Sequence, residues 1–322
     1  MKDGYFIGVD IGGTKIATGL VTGDAQVIER SVLPTPRETN VDLVVSQVYR
    51  SIDHTLEKSN LAPSQLAGIG VVAPGPLNPR TGVLLYAPNI PSFKNVPIRK
   101  MVQDRYGVPT RVENDANAAG LAEALFGAGV GYKYVLYVTV STGIGTGVIL
   151  DQRIYHGKNG AAAEGGHITI NYQGPVCSCG LRGCIEAYAS GTAMARRARE
   201  RLSSTSVPSK IRSLVANRLE QVTPIVIAQA AQSGDELALA LIRETGEYLG
   251  IWLGSMISLF DPDIIIIGGG LSALDESLFA SMRETIPKHT INPFPKEIPI
   301  VSAQLQRDVG ILGAAALHMC SQ

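Results

Sequence analysis

The chain has 322 residues, of which 45% are hydrophobic and 17% charged, with 28 Lys and Arg against 28 Asp and Glu. That length allows one large or two medium domains, and the even charge excludes the basic excess of a general nucleic-acid binder. The longest aliphatic run is four isoleucines at 264–267. It falls far short of the roughly 20 apolar residues that span a bilayer, and "MKDGYFIGVD" lacks a signal-peptide core, so a cytoplasmic protein is expected.

In chain order, "YFIGVD" (5–10) reads as a buried strand, "IGGTK" as a tight turn and "IATGLV" (16–21) as the returning strand. Val41, Val45, Val48, Ile52 and Leu56 follow helical spacing. Strands are expected at 68–73, stopping at "PGP", and at 110–113, running into a helix that begins with "NDANAAGLAEALFGAG". The opening pattern then returns: strand 134–140, the glycine turn "STGIGT", and strand 147–150. Two hairpins of one type suggest two related domains, although two unrelated hairpins give the same pattern. The polar stretch 203–210 reads as a loop. A long helix is expected from Asp235 to Leu259, with Leu241, Tyr248, Trp252, Met256 and Leu259 on one stripe. A buried strand with a glycine turn (263–270), a helix near 272–285 and a small-residue helix (310–319) follow, the last able to close back on the first domain. Alternating strands and helices make this an α/β fold with a mixed sheet.

Asp10, Ile11, Gly12, Gly13, Thr14 and Lys15 form the first glycine tip. Bare backbone N–H groups there can approach an anion, Thr14 and Lys15 add donors, and Asp10 can hold Mg²⁺ directly or through water. The tip matches neither a P-loop nor a dinucleotide fingerprint. Ser141, Thr142, Gly143, Ile144, Gly145 and Thr146 offer the same chemistry, so the pair could clamp a polyphosphate. Gly268, Gly269 and Gly270 could admit a flat base or simply make a turn. Asn114 and Asp115 sit where a strand meets a helix. Asp115 is a candidate general base, but locally it reads first as a helix N-cap, and the two roles are compatible.

Cys177, Cys179 and Cys184 fall within eight positions, with His167 ten residues before the first. Cys3His fits closed, tetrahedral, structural zinc, which leaves no position for a catalytic water and so disfavours a zinc hydrolase. A redox Cys-x-Cys pair is the weaker rival. His54, His156, His289 and His318 read as packed or surface residues. Glu164 and Glu186 flank the cluster on opposite sides and could accept hydrogen bonds from sugar hydroxyls.

Taken together, "GVDIGGTKIATGLV", "ENDANAA", "STGIGTGV", "EGGH" and "CSCGLRGCIEAYASG" resemble the ROK family of sugar kinases, nearest its bacterial glucokinases, from about residue 5 to "GILGAAAL". The resemblance implies an actin-like, hexokinase-type fold with two domains around a cleft: residues 1–118 plus 308–322, and 119–307 with the zinc loop. It implies MgATP between the two glycine tips, adenosine near Gly268 to Gly270, and Asp115 as base toward the 6-hydroxyl of glucose. Asn114, Glu164, His167 and Glu186 match sugar-contacting positions, as do Gly75 and Asn89 more loosely. His167 would serve both zinc and sugar. It further implies a homodimer or homotetramer. Mannose, N-acetylglucosamine or N-acetylmannosamine remain alternative acceptors, and polyphosphate an alternative donor. A sugar-sensing regulator is disfavoured, because the family's repressors carry an added DNA-binding domain and the first strand here starts at Tyr5.

Overall fold

The computed structural model describes residues 4–36, 40–87, 90, 93–204, 208–274 and 276–320. The opening hairpin is β1 (Tyr5–Ile11) and β2 (Lys15–Thr22), in register from Tyr5 opposite Thr22 to Ile11 opposite Ile16. Antiparallel β3 (Val27–Pro34) extends it on one side. On the other side, β4 (Leu66–Ala73) and β8 (Thr110–Asn114) add in parallel, giving the order β3-β2-β1-β4-β8. Between them in sequence, β5 (Leu77–Asn78), β6 (Val83–Tyr86) and β7 (Lys94–Val96) form a separate small sheet.

Both faces of the main sheet are covered, which is why β1 is apolar at successive positions rather than alternately. Ile7, Val9 and Ile11 pack with Val44, Val45, Val48 and Ile52 of α1 (Val41–Ser59) and with Ile98 and Val102 of α2 (Ile98–Tyr106). Fully burying each such side chain contributes roughly 1.5–3 kcal/mol. Asn40 starts α1 by accepting the Asp42 N–H, and Asn60 ends it in the left-handed region, at φ 53°. Phe6 points to the opposite face, against Ile311, Leu312 and Ala315 of α10 (Val309–Met319). Ala122 of α3 (Asp115–Phe126) joins that cluster. So the last helix does return to the first sheet. Its small residues permit unusually close packing: a Cβ on Gly70 of β4 would lie 1.7 Å from the Ala314 carbonyl oxygen.

The second five-stranded sheet has the order β11-β10-β9-β12-β13, from β9 (Tyr134–Val140), β10 (Ile144–Leu150), β11 (Arg153–Ile154), β12 (Ile264–Gly268) and β13 (Ile300–Ser302). Its helices are α4 (Glu186–Ala189), α5 (Gly191–Ser204), α6 (Lys210–Leu214), α7 (Pro224–Gln232), α8 (Glu236–Phe260) and α9 (Glu276–Thr285). Asp235 caps α8 rather than beginning it, accepting the Ala238 N–H. Leu241, Trp252 and Met256 are buried as the stripe requires, but Leu259 is 69% exposed because the packed face of α8 ends at Ile257. Ile144, Gly145 and Thr146 belong to β10, so the second tip is shorter than the sequence suggests.

The chain forms two compact units: residues 1–137, 147–163 and 304–322, and residues 138–146 and 164–303. A boundary at 118/119 would fall inside α3. That helix stays whole with the first unit because it packs along α10. No single helix among the described residues is long and apolar enough to cross a membrane.

Candidate active site and metal centre

In the first unit, the carboxyl ends of the parallel strands β1 and β8 bring Asp10 and Asp115 together, the edge where open α/β sheets bind ligands. Burial, and secondarily the Asp115 carboxylate, push the Asp10 pKa from its ordinary 3.8 to about 6, with Lys15 opposing. The chain thus places two acids where one cation would relieve both. Gly310 lets the start of α10 reach this carboxylate: a Cβ there would lie 2.3 Å from Asp10 Oδ2. The first tip, Gly12 to Thr14, is closed by Gly12 N–H donating to Lys15 O at 2.9 Å.

The N-cap of α3 is Asn114, not Asp115. Asn114 Oδ1 accepts the N–H groups of Ala116 (2.9 Å) and Asn117 (3.3 Å). Asp115 is therefore the first helical residue, exposed, with Oδ1 accepting its neighbour Ala116 N–H at 2.8 Å. Its carboxylate also benefits from the positive end of the helix. Behind it lies a pair that the sequence does not announce. Glu113 is buried, its Oε1 accepting from Asn114 N (2.8 Å) and Asn117 Nδ2 (3.0 Å) and its Oε2 lying 2.5 Å from His156 Nε2. His156 is thus tied to the end of β8, two residues before the candidate base, and is no ordinary packed or surface histidine. His318 does keep that reading, buried with Nε2 3.0 Å from Ile69 O.

In the second unit, the second tip is Ser141 to Gly143, closed by Ser141 N–H to Gly143 O at 2.9 Å. The start of α5 holds it: Gly191 N–H donates to Ser141 O (2.8 Å) and Thr192 Oγ1 to Thr142 O (2.8 Å). Here "ASGT" has a physical role as a clamp on the tip. Glu186, the first residue of α4, accepts Ile144 N–H on Oε2 (2.9 Å) and the Ser178 hydroxyl on Oε1 (2.9 Å). It joins the glycine tip to the cysteine loop, with Cys177 Sγ also 3.6 Å from Oε1, and Oε2 retains a further lone pair. Glu164 precedes the short 3-10 turn Gly165–His167, which is fixed by Gly165 N–H donating to Thr146 Oγ1 at 2.9 Å.

The ligand atoms of His167, Cys177, Cys179 and Cys184 all lie within 4.8 Å of one another. Cys177 Sγ is 3.7 Å from His167 Nδ1, and Cys179 Sγ is 3.7 Å from Cys184 Sγ. Two sulfurs on one tetrahedral zinc, each at about 2.3 Å, would be about 3.8 Å apart, so the set fits zinc. Burial pushes the Cys184 thiol up to about 12 and raises that of Cys177, a cost that a bound cation reverses. With Nδ1 turned to the sulfurs, His167 has Nε2 as its second polar atom.

The structure gathers Asp10, the first tip, Asn114 and Asp115 in one unit, and the second tip, Glu164, His167, Glu186 and the cysteines in the other. Gly268 ends the fully buried β12, and Gly269 turns at φ 83°. Gly75 lies in the turn after β4 at φ 95°. Asn89 lies outside the described residues.

The ROK family pattern matches residues 6–320. A glucokinase of Thermotoga maritima is 35% identical over 311 residues, covering 97% of this chain and 96% of that protein. A ROK family glucokinase from Streptomyces griseus, solved in complex with glucose and AMPPNP, is 34% identical with a TM-score of 0.83, covering 98% and 99% of the two chains. A xylose repressor of Caldicellulosiruptor bescii is 30% identical and covers 98% of this chain, which spans 78% of the repressor. The fold is the actin-like one of the ROK kinases, and the chain belongs to the ROK family.

Proposed function

We propose that this chain is an ATP-dependent hexose kinase that transfers phosphate to the 6-hydroxyl of glucose. The observation carrying this is the Asp10–Asp115 pair at the strand ends, beside a tip of bare backbone N–H groups. Full-length similarity to glucokinases supports glucose as the acceptor. Mannose or an N-acetylhexosamine would need only a few changed side chains. The similarity to a repressor favours a second reading as a sugar sensor, but the repressor is longer by about a fifth of its length.

Phosphoryl transfer passes through a loose transition state, so positioning and charge neutralisation do most of the work. Asp115 orients the hydroxyl and takes its proton late. The N–H groups of Gly13, Thr14, Thr142 and Gly143 donate to phosphate oxygens, while those of Gly12 and Ser141 close the two tips and Lys15 adds charge. Gly268 to Gly270 leave bare backbone against adenosine. Asp10 is the residue to hold magnesium, which supplies charge neutralisation to the phosphates when bound. Gly75, Asn89, Asn114, Glu164, His167 and Glu186 are the proposed sugar contacts. Asn114 Oδ1 is committed to the cap, so its amide nitrogen is the group it offers. His167, Cys177, Cys179 and Cys184 would hold structural zinc, which supplies a cross-link between "EGGH" and the cysteine loop. A cytoplasmic homodimer is part of the same reading.

The test is Asp115→Ala. It should fold, retain metal and bind glucose within a few-fold of wild type, and lose at least about 10²-fold in kcat, the lower range for removing a general base. Near-normal turnover would sink the assignment.

A further inference from the structure

Within the first unit, a cavity of about 450 Å³ is walled by Arg80, Arg99, Arg111 and Arg153, with His156 and Glu113 also reaching it. Among the described residues none of the four guanidinium groups enters an ion pair. Two are held in place by backbone: Arg99 Nη1 donates to Arg80 O at 2.8 Å, and Arg111 Nη1 donates to Leu317 O. The carboxylate at the wall is already engaged. Glu113 accepts Asn114 N and Asn117 Nδ2 on one oxygen and meets His156 on the other. Four arginines therefore line one open cavity in a chain whose formal net charge is zero.

None of the four arginines belongs to the proposed nucleotide or sugar positions. Guanidinium forks match phosphate oxygens in geometry and charge. The volume falls in the range of small-molecule sites, roughly 300–1,000 Å³, and is too small for a nucleic-acid duplex or a protein domain. We propose that this cavity is a second binding site, taking a phosphate monoester. Its position gives it a route to the reaction. A bound anion draws on His156, whose partner Glu113 also holds the peptide N–H of Asn114, beside Asp115. Occupancy would thus be felt at the start of α3. Only this coupling rests on the kinase reading; the binding does not.

The experiment is calorimetric titration of the whole chain with inorganic phosphate and with glucose 6-phosphate, at saturating glucose and without nucleotide. Glucose occupies the sugar position, so the sugar phosphate reports the second site. Inorganic phosphate can also meet the glycine tips, so the part of its binding lost in the double variant reports the second site, even if the chain binds no glucose. Wild type is compared with Arg80→Gln/Arg153→Gln, both exposed residues whose replacement should leave the urea midpoint unchanged. The expected result is one anion site per chain that the double variant binds at least tenfold more weakly. Tighter binding of glucose 6-phosphate would show that the sugar is read as well, and equal binding that the phosphate group alone is read. No binding of either probe, or binding unchanged by the two substitutions, would overturn the proposal.

Discussion

Asp10 illustrates how one residue can be a liability in one state and an asset in another. Its pKa rises to about 6 because it is buried and faces Asp115. The folded chain therefore binds that proton more tightly than the unfolded chain. The stability it contributes is present at low pH and declines as pH climbs from about 4 to about 6, leaving a deficit of roughly 3 kcal/mol at neutral pH. Asp10→Asn should raise the melting temperature of the nucleotide-free, magnesium-free protein at pH 7.5 and abolish most turnover. A lower melting temperature would contradict the placement of the charge. At the metal cluster, Cys179→Ser should lose zinc, measured by elemental analysis, and weaken glucose binding at the same time, because His167 and Glu186 are both fixed to the cysteine loop. If glucose affinity survived zinc loss, the cluster would be a surface staple only. The cluster is legible in the sequence since its four donors lie within 18 consecutive positions and need only a local turn to meet. The Glu113–His156 pair is illegible since 43 residues separate two groups that carry no motif.

At the scale of the element, α3 and α10 carry the site. Asn114 caps α3 and so sets the first turn on which Asp115 stands. Asn114→Ala should destabilise the protein by about 1 kcal/mol in urea and reduce kcat more than it raises KM for glucose. Loss of stability with unchanged kinetics would make the cap purely structural. Sequence alone favours Asp115 as the cap because Asn and Asp serve equally well there. Only the backbone shows which of the two has left the helix: Asn114 is extended at φ −67° and ψ 144°. Similarly, the sequence suggests a longer second tip than the structure has, since a Gly-x-Gly-Thr run reads as a turn. Its Gly145 and Thr146 instead continue β10, where Thr146 is buried and holds Gly165. Gly70→Val should cost about 3 kcal/mol or more, because its side chain would meet the α10 backbone rather than a movable side chain. A urea midpoint near that of wild type would show that α10 can lift from the sheet without penalty.

For the whole molecule, strand–helix alternation and two Gly-tipped hairpins are enough to give an α/β fold with two such hairpins, and the structure has both. The return of the last helix to the first sheet was legible as a stripe of small residues, since only such a helix can lie this close to a sheet. The extent of each unit was not, because it depends on packing between elements far apart in the chain, such as Leu305 N–H donating to Glu123 Oε1 at 2.8 Å. The acceptor sugar lies at the limit of both sequence and fold, since hexoses differ by single hydroxyls or one N-acetyl group. The measurement that tests the central claim most directly is ADP release by the wild-type chain with MgATP and, in turn, glucose, mannose, N-acetylglucosamine and N-acetylmannosamine. The account predicts release matched one-to-one by sugar 6-phosphate, with the highest kcat/KM for glucose. No sugar-dependent release from a folded, zinc-loaded chain would contradict it.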